Sequence, residues 1–421
     1  MGKGGNNVNI LWFNWRDIRN PDAGGAEVFT HEVCRRLVHP SYRHKITLYT
    51  SAFHGCRDEE ELEGIKIVRG GNKYTVYKKA KEFYKRYGQE YDLVVDEINT
   101  RPFSTVDFVK DKPIVALIHQ LAREFWFYET RFPINLIGYY FLEKYWLAKY
   151  RNSPTITVSE STKIDLESLH FKDVEVIPEG IAFRPSDTPA QKEPAPTLIF
   201  VGRLKKAKKP DDAIRAFLAL KLEIPDAKLW VVGDGYMISK LKEMAAAPTL
   251  NKDSTAEKGN NASRPTQDYD DNSNSGIFFF GKVSNEKKLE LMSRAHILLV
   301  PGVREGWGLV VTEANAMGTP AVAYDIPGLR DSVLNHETGV LVQKDDPTGM
   351  AIDAGMLLTD KKKLDQYSKK AIEYARGFSW DTTAAKFALI LEHNYAHYCR
   401  AIAESRNSPY PEASQKGAKI K

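Results

Sequence analysis

A chain of 421 residues is too long for one ordinary domain, so its length predicts two domains of similar size. Its 42% hydrophobic and 27% charged residues are typical of a soluble globular protein. The net charge of +5 is too modest to indicate nucleic acid as a partner.

Cysteine usage and hydropathy narrow the class of protein further. Cys34, Cys56 and Cys399 lie far apart and show no metal-ligand spacing, which predicts reduced cytosolic thiols. The first residues lack the features of a secretory signal, and no apolar run approaches the roughly 20 residues that a membrane-spanning helix needs. We therefore expect a cytoplasmic protein that does not cross a membrane.

Short apolar runs alternate with helical patterns in the first half of the chain. Helices are predicted at Ala26–Val38 and Tyr74–Arg86, among other positions. Because most of the apolar runs are unbroken stretches of Val, Ile and Leu, they favour parallel strands buried on both faces. This alternation is typical of a doubly wound α/β domain, which we place at residues 1–185. Its strands are predicted at Val8–Asn14, Lys45–Thr50, Ile65–Arg69, Asp92–Asp96, Pro113–His119, Thr155–Ser159 and Val174–Pro178.

A second α/β series follows a stretch rich in Pro, Ala, Ser and Thr near Ala182–Pro196, which we interpret as the interdomain linker. The second domain is placed at residues 186–376, and a helix at 377–404 is expected to cross back to the N-terminal domain. Two such domains predict a cleft between them, where ligands bind. The strands of this series are predicted at Thr197–Val201, Lys228–Gly233, Gly276–Gly281, His296–Val300, Pro320–Tyr324 and Val340–Gln343.

Two segments are polar and poor in large apolar residues. Residues 245–275 are rich in Asn, Asp, Ser, Thr and Pro, which predicts a disordered loop. The polar tail at 405–421 is predicted to be disordered as well.

The sequence REGWGLVVTEANAMG at 304–318 follows an apolar strand and opens a helix. Gly306 and Gly308 permit a close approach of the backbone to a ligand, and the start of the helix offers free amides and the positive end of its dipole. Glu305 lies in the loop and Glu313 about one turn into the helix, so the two carboxylates can reach one ligand at two places. For Glu313 alone, the alternative is a charge that complements the first helical turn.

A basic loop follows the strand that opens the second domain. Arg203 lies at the carboxyl end of this strand, where open α/β sheets bind ligands. Cationic side chains and the amides at a helix start suit a diphosphate, whereas a solvated basic loop is the alternative for the lysines. These lysines are Lys205, Lys206, Lys208 and Lys209.

The N-terminal domain supplies a facing wall for the same cleft. The first predicted strand is followed by a loop that ends in Asp-Ala-Gly-Gly-Ala-Glu at 22–27, and then by a helix. Adjacent glycines before a helix suit a close approach to phosphate or sugar, although loop glycines also form plain turns. His119 ends an apolar strand and is expected at the edge of the cleft, where it has either a structural or a functional role.

Together these residues resemble the large retaining glycosyltransferase family with the GT-B fold, of the family-four type. The resemblance covers most of the chain and implies two Rossmann-like domains that face an interdomain cleft. It further implies a hexosyltransferase that takes its sugar from a nucleoside-diphosphate sugar and retains the anomeric configuration. The matching pieces are Gly-Gly-Ala-Glu at 24–27, His119, Val158-Ser159, Val176-Ile177-Pro178, Gly202-Arg203 with Lys208, Gly233-Asp234-Gly235, Phe280-Gly281-x-Val283 and Glu305-x7-Glu313.

The resemblance also implies a role for individual residues. Arg203 and Lys208 neutralise the donor diphosphate and the leaving group, and Glu305 bonds hydroxyls of the transferred sugar. His119 contacts the sugar from the opposite domain, and Glu313 binds the ribose. No cofactor and no divalent metal are expected, since preorganised cations and amides can stabilise the departing diphosphate. The other implied donor-binding residues are Gly24, Gly25, Gly202, Val283, Gly306, Trp307, Gly308 and Leu309.

Three positions depart from the family pattern. Glu179 stands where asparagine is usual, Gly302 where serine is usual, and Lys209 where glycine is usual. None is a proposed catalytic group, but they bear on the local shape of the acceptor side and of the phosphate loop.

The predicted helix Tyr74–Arg86 has a basic arc opposite an aromatic one. Such a helix can lie on an anionic membrane, although an ordinary surface helix packed on its sheet has the same pattern. The aromatic segment Phe125–Tyr150 is either a buried core helix or a wall for a lipid tail. We expect a lipid-linked or cell-surface glycan acceptor and peripheral attachment at the inner face of the cell membrane. The basic residues are Lys78, Lys79, Lys81, Lys85 and Arg86.

Three other functions compete with this interpretation. A nicotinamide-dependent oxidoreductase would place Gly-x-Gly-x-x-Gly after the first strand, and that motif is missing there. A GT-B sugar-nucleotide epimerase is disfavoured by the spacing of Glu305 and Glu313. A non-catalytic nucleotide-sugar-binding protein stays open, although all the expected polar groups are present.

Overall fold

The computed structural model describes residues 7–246, 270–272 and 275–407, in which strands alternate with helices. The strands are β1 (Asn9–Phe13), β2 (Lys45–Thr50), β3 (Glu59–Leu62), β4 (Ile65–Arg69), β5 (Leu93–Glu97), β6 (Ile114–Ile118), β7 (Thr155–Thr157), β8 (Val174–Val176), β9 (Thr197–Val201), β10 (Lys228–Val232), β11 (Asp270–Asn272), β12 (Ile277–Gly281), β13 (Ile297–Val300), β14 (Ala321–Tyr324) and β15 (Gly339–Val342). The helices are α1 (Gly25–Leu37), α2 (Val76–Tyr87), α3 (Thr105–Phe108), α4 (Phe125–Glu129), α5 (Ile134–Ile137), α6 (Glu143–Ala148), α7 (Glu160–Ser168), α8 (Pro210–Glu223), α9 (Ile238–Ala246), α10 (Asn285–Arg294), α11 (Leu309–Ala316), α12 (Leu329–Ser332), α13 (Pro347–Thr359), α14 (Lys361–Ala375) and α15 (Trp380–Asn407).

Each domain is built on one twisted sheet. Within the described residues the N-terminal sheet has eight strands in the order β3-β4-β2-β1-β5-β6-β7-β8, and the C-terminal sheet has seven in the order β11-β12-β10-β9-β13-β14-β15. The edge strands β3 and β11 pair antiparallel with their neighbours, and the other pairs are parallel. The strand order reverses beside β1 and beside β9. Loops that follow these two strands therefore open at the topological switch points where such sheets bind ligands.

The apolar runs are buried as parallel strands covered on both faces. Ile10, Leu11, Trp12 and Phe13 of β1 are inaccessible to solvent, and the strands of the second sheet lie in a core of their own. The sequence predicts Rossmann-like domains, and the structure confirms two of them.

The C-terminal helix α15 packs on the N-terminal domain. The ring of Phe387 stacks on Trp12 of β1 with 5.1 Å between the centroids, and Trp380 meets Phe29 of α1 edge-on at 5.6 Å. The last helix of the chain is thereby part of the first domain's core.

The apolar pattern does not predict β3, because its glutamates carry no apolar alternation; it forms by antiparallel pairing with β4. The prediction of disorder over 245–275 does not hold at Ala245, which is buried in α9, nor at Asp270–Asn272, which pair with β12. Residues 247–269 and 273–274 lie outside the described ranges, as do 408–421 of the predicted tail. The tail prediction is wrong for 405–407, which continue α15.

None of the helices among the described residues combines the length and the hydropathy that spanning a bilayer requires.

Candidate active site between the two domains

The loop between β9 and α8 forms one side of the cleft. The amide of Gly202 donates to the carbonyl of Val232 at 3.0 Å, and that of Leu204 donates to Asp234 at 2.8 Å. These bonds join the loop to the end of the neighbouring strand β10. The half-buried Arg203 between them is therefore held at the carboxyl edge of the sheet.

Lys208 and Glu305 meet at this edge. The ammonium nitrogen of Lys208 lies 2.5 Å from Oε1 and 2.7 Å from Oε2 of Glu305. A hydrogen bond of 2.9 Å from the amide of Val303 to the carbonyl of Ala207 ties the two loops together. Gly302 leaves room for the pair, since a Cβ atom there would lie 3.0 Å from Oε1 of Glu305. The serine that is usual at this position would crowd the carboxylate.

Lys209 shows why glycine is usual at its position. Its φ of 47° lies in the left-handed region, which glycine adopts more readily than other residues. Here the side chain offsets part of that cost, because Nζ bonds Asp212 at 2.8 Å and also pairs with Asp345. The loop thus keeps its turn without glycine.

Helix α11 begins directly behind the pair of Lys208 and Glu305. Gly308 precedes it with a φ of 95°, and its first amides carry the positive end of the helix dipole toward the cleft edge. Both carboxylate oxygens of Glu313 accept hydrogen bonds from Nζ of Lys288, at 2.7 and 2.8 Å. A ribose hydroxyl bound by Glu313 would compete with this lysine. The sequence gives no signal for Lys288, because α10 and α11 meet only in the folded chain.

The glycine pair of the N-terminal domain faces these groups. A Cβ atom on Gly24 would lie 3.5 Å from Nη2 of Arg203, whose Nη1 donates to the carbonyl of Asp22 at 3.4 Å. A Cβ atom on Gly25 would lie 3.7 Å from Cδ1 of Leu309. The structure therefore brings both glycines to the basic loop and to the start of α11.

His119 follows β6 and is buried between two carboxylates. Its Nε2 lies 3.2 Å from Oε1 of Glu97, and its Nδ1 lies 3.7 Å from Oε1 of Glu179. Burial alone would lower the pKa of His119, but the two carboxylates outweigh burial and raise that pKa to about 9. Burial also raises the pKa of Glu179, an effect that His119 opposes. The family departure at Glu179 thus lies in direct electrostatic contact with an implied catalytic residue.

Two implied donor-binding side chains have other surroundings. Trp307 is buried, its Nε1 donates to Oγ1 of Thr312 at 2.8 Å, and its ring lies 5.1 Å from that of Phe378. Its indole belongs to the N-terminal core, so a donor can meet this residue only through the backbone. Val283 is half-buried against the C-terminal core, in the loop between β12 and α10.

Arg304, one residue before Glu305, links the two domains. It is buried, its Nη1 donates to Glu124 at 3.3 Å, and its Nη2 pairs with Asp165. In a second contact between the domains, the amide of Ser161 donates to Oδ1 of Asp331 at 3.1 Å. These contacts hold the loop of Glu305 against the N-terminal domain. No local sequence pattern distinguishes Arg304, apart from its position beside Glu305.

Helix α2 lies on the outer side of the N-terminal domain and presents its predicted basic arc to solvent. The guanidinium of Arg101 lies 4.2 Å from the ring centroid of Tyr77 on α2 and 5.9 Å from that of Trp146 on α6. α2 and the aromatic segment are therefore neighbours. The exposed residues of the arc are Lys78, Lys79, Lys81, Lys85 and Arg86.

The aromatic segment is not a buried core helix. It is broken into α4, α5, a π-helical turn at Gly138–Leu142 and α6. Phe132 and Phe141 expose 78% and 70% of their surface, and Tyr145 is exposed beside them. The interpretation as a buried helix is therefore wrong, because the broken backbone turns these rings outward.

Each half of the chain matches a known protein family. Residues 23–183 match the family described as Glycosyltransferase Family 4, and residues 186–374 match Glycosyl transferases group 1. A D-inositol 3-phosphate glycosyltransferase of Nocardia farcinica is 30% identical over 221 residues, which are 50% of this chain and 45% of that enzyme. The chain thus aligns with about half the length of such curated relatives.

Two solved structures share the fold. A sucrose-phosphate synthase from Thermosynechococcus elongatus has a TM-score of 0.71 at 20% identity, and the match covers 94% of this chain and 100% of that one. The Anabaena protein HepE, in complex with UDP-glucose, has a TM-score of 0.63 at 14% identity with the same coverage of both chains. The two family matches divide at residues 183–186, where the sequence predicts the boundary between the two domains. With both halves matched and the two-domain fold shared, this chain belongs to the family-4 glycosyltransferases and has the GT-B fold.

Proposed function

We propose that the chain is a retaining hexosyltransferase whose donor is a nucleoside-diphosphate sugar. The observation that carries this proposal is the convergence of Arg203, Lys208 and Glu305 with the start of α11 at one edge of the cleft. The Anabaena relative of the same fold binds UDP-glucose, which supports a nucleotide sugar as the donor.

The reaction breaks a bond between the anomeric carbon and a diphosphate oxygen. Negative charge develops on the departing diphosphate, and the cations Arg203 and Lys208 and the amides of α11 are suited to stabilise it. Positive charge develops at the anomeric carbon, which the carboxylate of Glu305 can stabilise. His119 lies across the cleft, where we place the sugar hydroxyls. Since the protein supplies the cations, we propose that transfer needs no divalent metal.

A panel of nucleotide sugars tests this proposal. The expected result is a rise in melting temperature with one donor class, followed by donor turnover whose sugar product keeps its anomeric configuration by NMR. Turnover should be the same with and without EDTA. No thermal shift with any donor would contradict the function, inversion of the anomer would contradict retention, and dependence on added magnesium or manganese would contradict the metal-free mechanism.

For the acceptor, we propose a lipid-linked or cell-surface glycan at the cytoplasmic face of the membrane. The support is the exposed basic arc of α2 together with the exposed rings of Phe132, Phe141 and Tyr145 in the aromatic segment, which Arg101 connects to α2. Basic residues attract anionic headgroups, and aromatic rings settle at the boundary between headgroups and acyl chains. A protein held there would meet its acceptor without a spanning segment.

The competing function is a sugar-nucleotide epimerase, which inverts a stereocentre of the donor sugar and needs no acceptor. The open apolar and basic surface beside the N-terminal domain favours transfer, because an epimerase needs no acceptor side. Incubation with donor alone separates the two, since only an epimerase would convert the donor into its epimer without an acceptor.

A further inference from the structure

A cavity of about 350 Å³ lies at the carboxyl edge of the N-terminal sheet, outside the donor groups described above. It is open to solvent and is lined by residues of the loops that follow β1 and β2, by Glu60 of β3 and by the end of β4. In a doubly wound sheet this edge is the one that binds ligands. Its charged lining consists of Arg19, Arg57, Glu60 and Arg69, with Cys56 beside them.

Arg69 is the fixed part of this cavity. Its side chain is 1% exposed, its Nε donates to Asp17 at 2.8 Å, and its Nη2 donates to Glu60 at 2.5 Å. Its Nη1 donates to the carbonyl oxygen of Arg57 at 2.9 Å. All three nitrogens of the Arg69 guanidinium therefore form hydrogen bonds within the protein, and these bonds hold the side chain in place.

The same contacts hold the backbone of two further arginines. Asp17, held by Arg69, accepts a hydrogen bond of 2.8 Å from the amide of Arg19, and Arg69 itself holds the backbone of Arg57. The side chains of Arg19 and Arg57 are exposed at the cavity, and neither forms an ion pair or a hydrogen bond with another described side chain. The cavity lining holds three guanidinium groups and one carboxylate, that of Glu60, and Asp17 pairs with Arg69, so these groups together carry one excess positive charge.

The loop that carries Arg19 also reaches the donor side. Arg16 precedes Asp17, and its Nε donates to Oε1 of Glu27 at 3.0 Å. Oε2 of Glu27 accepts a hydrogen bond of 2.6 Å from the amide of Gly24, which lies next to Arg203. The same loop therefore contributes Arg19 to the cavity and Gly24 to the contact with Arg203 on the donor side.

We propose that this cavity binds a phosphate group of the acceptor, through the guanidinium groups of Arg19 and Arg57. Guanidinium groups match the geometry of phosphate oxygens and bind them with paired hydrogen bonds. The acceptor is then a phosphate ester whose hydroxyl points toward Gly24 and the donor. This inference rests on the proposed transferase function, and it covers both a lipid headgroup phosphate and a soluble phosphate ester.

Labelling of Cys56 tests the inference directly. Cys56 lines the cavity and is half-buried, Cys34 is fully buried, and the exposed Cys399 is removed as Cys399→Ser. Inorganic phosphate should slow the reaction of Cys56 with N-ethylmaleimide several-fold in this background. The protection should vanish in Arg19→Gln/Arg57→Gln, return in part in Arg19→Lys/Arg57→Lys, and persist in the control Arg184→Gln, whose guanidinium lies on an exposed linker.

Two further arms identify the source of the phosphate. Protection by glycerol 3-phosphate at lower concentration than by phosphatidylglycerol vesicles indicates a soluble ester, and the reverse order indicates a lipid headgroup. Absence of protection by inorganic phosphate in the wild-type background, or equal protection in the double Gln variant, overturns the inference. Calorimetry with UDP on the same proteins separates a failure of the donor proposal from a failure of the cavity proposal. If none of the proteins binds UDP, the donor proposal is contradicted. If they bind UDP but phosphate does not protect Cys56, only the cavity proposal is contradicted. Circular dichroism and UDP binding check that the variants are folded.

Discussion

Gly306 of the C-terminal domain packs directly on the backbone of His119 in the N-terminal domain. A Cβ atom on Gly306 would lie 2.9 Å from the carbonyl oxygen and 3.5 Å from Cβ of His119. Neither atom belongs to a flexible side-chain end, so any larger residue must push the two domains apart. The loops that carry Gly306 and His119 can therefore approach this closely only because residue 306 has no side chain.

We therefore expect Gly306→Ala to lower the rate of transfer. Overpacking costs about 1–3 kcal/mol, and roughly 1.4 kcal/mol corresponds to a tenfold change in an equilibrium constant, here that for the close approach of the two domains. Steady-state kinetics should show a fall in kcat/KM of about tenfold or more on this scale. The matched control is Gly355→Ala in α13, where a Cβ atom meets nothing within 4 Å. Equal activity of both variants would mean that the domains need not approach this closely during transfer.

Removal of the Glu305 carboxylate and removal of the Glu313 carboxylate should affect different kinetic constants. Glu305 lies against Lys208 at the proposed reaction centre, so Glu305→Ala should lower kcat by about 10²–10³-fold, the range known for preorganised transition-state contacts. Glu313 bonds Lys288 of α10 and is placed at the ribose of the donor rather than at the reaction centre, so Glu313→Ala should chiefly raise KM for the donor. Near-wild-type turnover of Glu305→Ala would refute the assignment. Glu373→Ala on α14 serves as the control for removal of a carboxylate elsewhere.

Arg203 and Lys208 should each contribute to nucleoside-diphosphate binding. A hydrogen bond to a charged group contributes about 1.5–3 kcal/mol, so removal of either side chain should weaken UDP binding about tenfold or more. Isothermal calorimetry compares Arg203→Ala and Lys208→Ala with Lys206→Ala, an exposed lysine of the same turn. Unchanged affinity for UDP in the first two variants, or an equal loss of affinity in the third, would contradict the roles of Arg203 and Lys208 in binding the diphosphate.

The sequence predicts most of the site because its groups follow strand ends. Arg203 and Glu305 lie in the loops that follow two apolar strands, β9 and β13, and the carboxyl ends of parallel strands meet at one edge. Contacts made between separate helices or domains carry no such signal. Lys288 beside Glu313, and Arg304 with its partners in the other domain, depend on packing that no local pattern encodes. For the same reason the outward turn of the aromatic segment is not readable from its composition.

Glu179 should hold His119 in its charged form. The carboxylates of Glu179 and Glu97 raise the pKa of His119 to about 9 from an ordinary value of 6.5. A raised histidine pKa contributes stability that is complete below pH 6.5 and is lost as the pH rises through about 9. Removal of one carboxylate should lower that pKa.

Nuclear magnetic resonance of labelled histidine measures this prediction. Glu179→Gln should shift the midpoint of the His119 titration toward lower pH, and the stability of the wild type should fall between pH 6.5 and about 9 more steeply than that of the variant. Glu175→Gln, at an exposed position of β8, is the control. An unchanged His119 titration in Glu179→Gln would show that Glu97 alone holds the imidazolium.

Helix α2 should bind anionic membranes through its exposed arc. Five basic residues face solvent there, and Glu82 offsets one of them through an ion pair of 2.9 Å with Lys79. Each basic residue near an anionic surface contributes on the order of 1 kcal/mol, which is enough in sum for reversible attachment. Since salt shortens the screening length, binding should weaken as the ionic strength rises.

Co-sedimentation with liposomes of phosphatidylglycerol and phosphatidylcholine tests this attachment. The variant changes the residues of the arc to Gln, and the control makes five lysines of α14 into Gln, with the same loss of charge from another exposed surface. The arc comprises Lys78, Lys79, Lys81, Lys85 and Arg86, and the control comprises Lys361, Lys362, Lys363, Lys369 and Lys370. Only the arc variant should lose binding at low salt. Equal loss of binding in both variants would mean that net charge rather than α2 governs the interaction. If the wild type does not bind these liposomes at all, there is no attachment through α2, and a soluble acceptor becomes the better proposal.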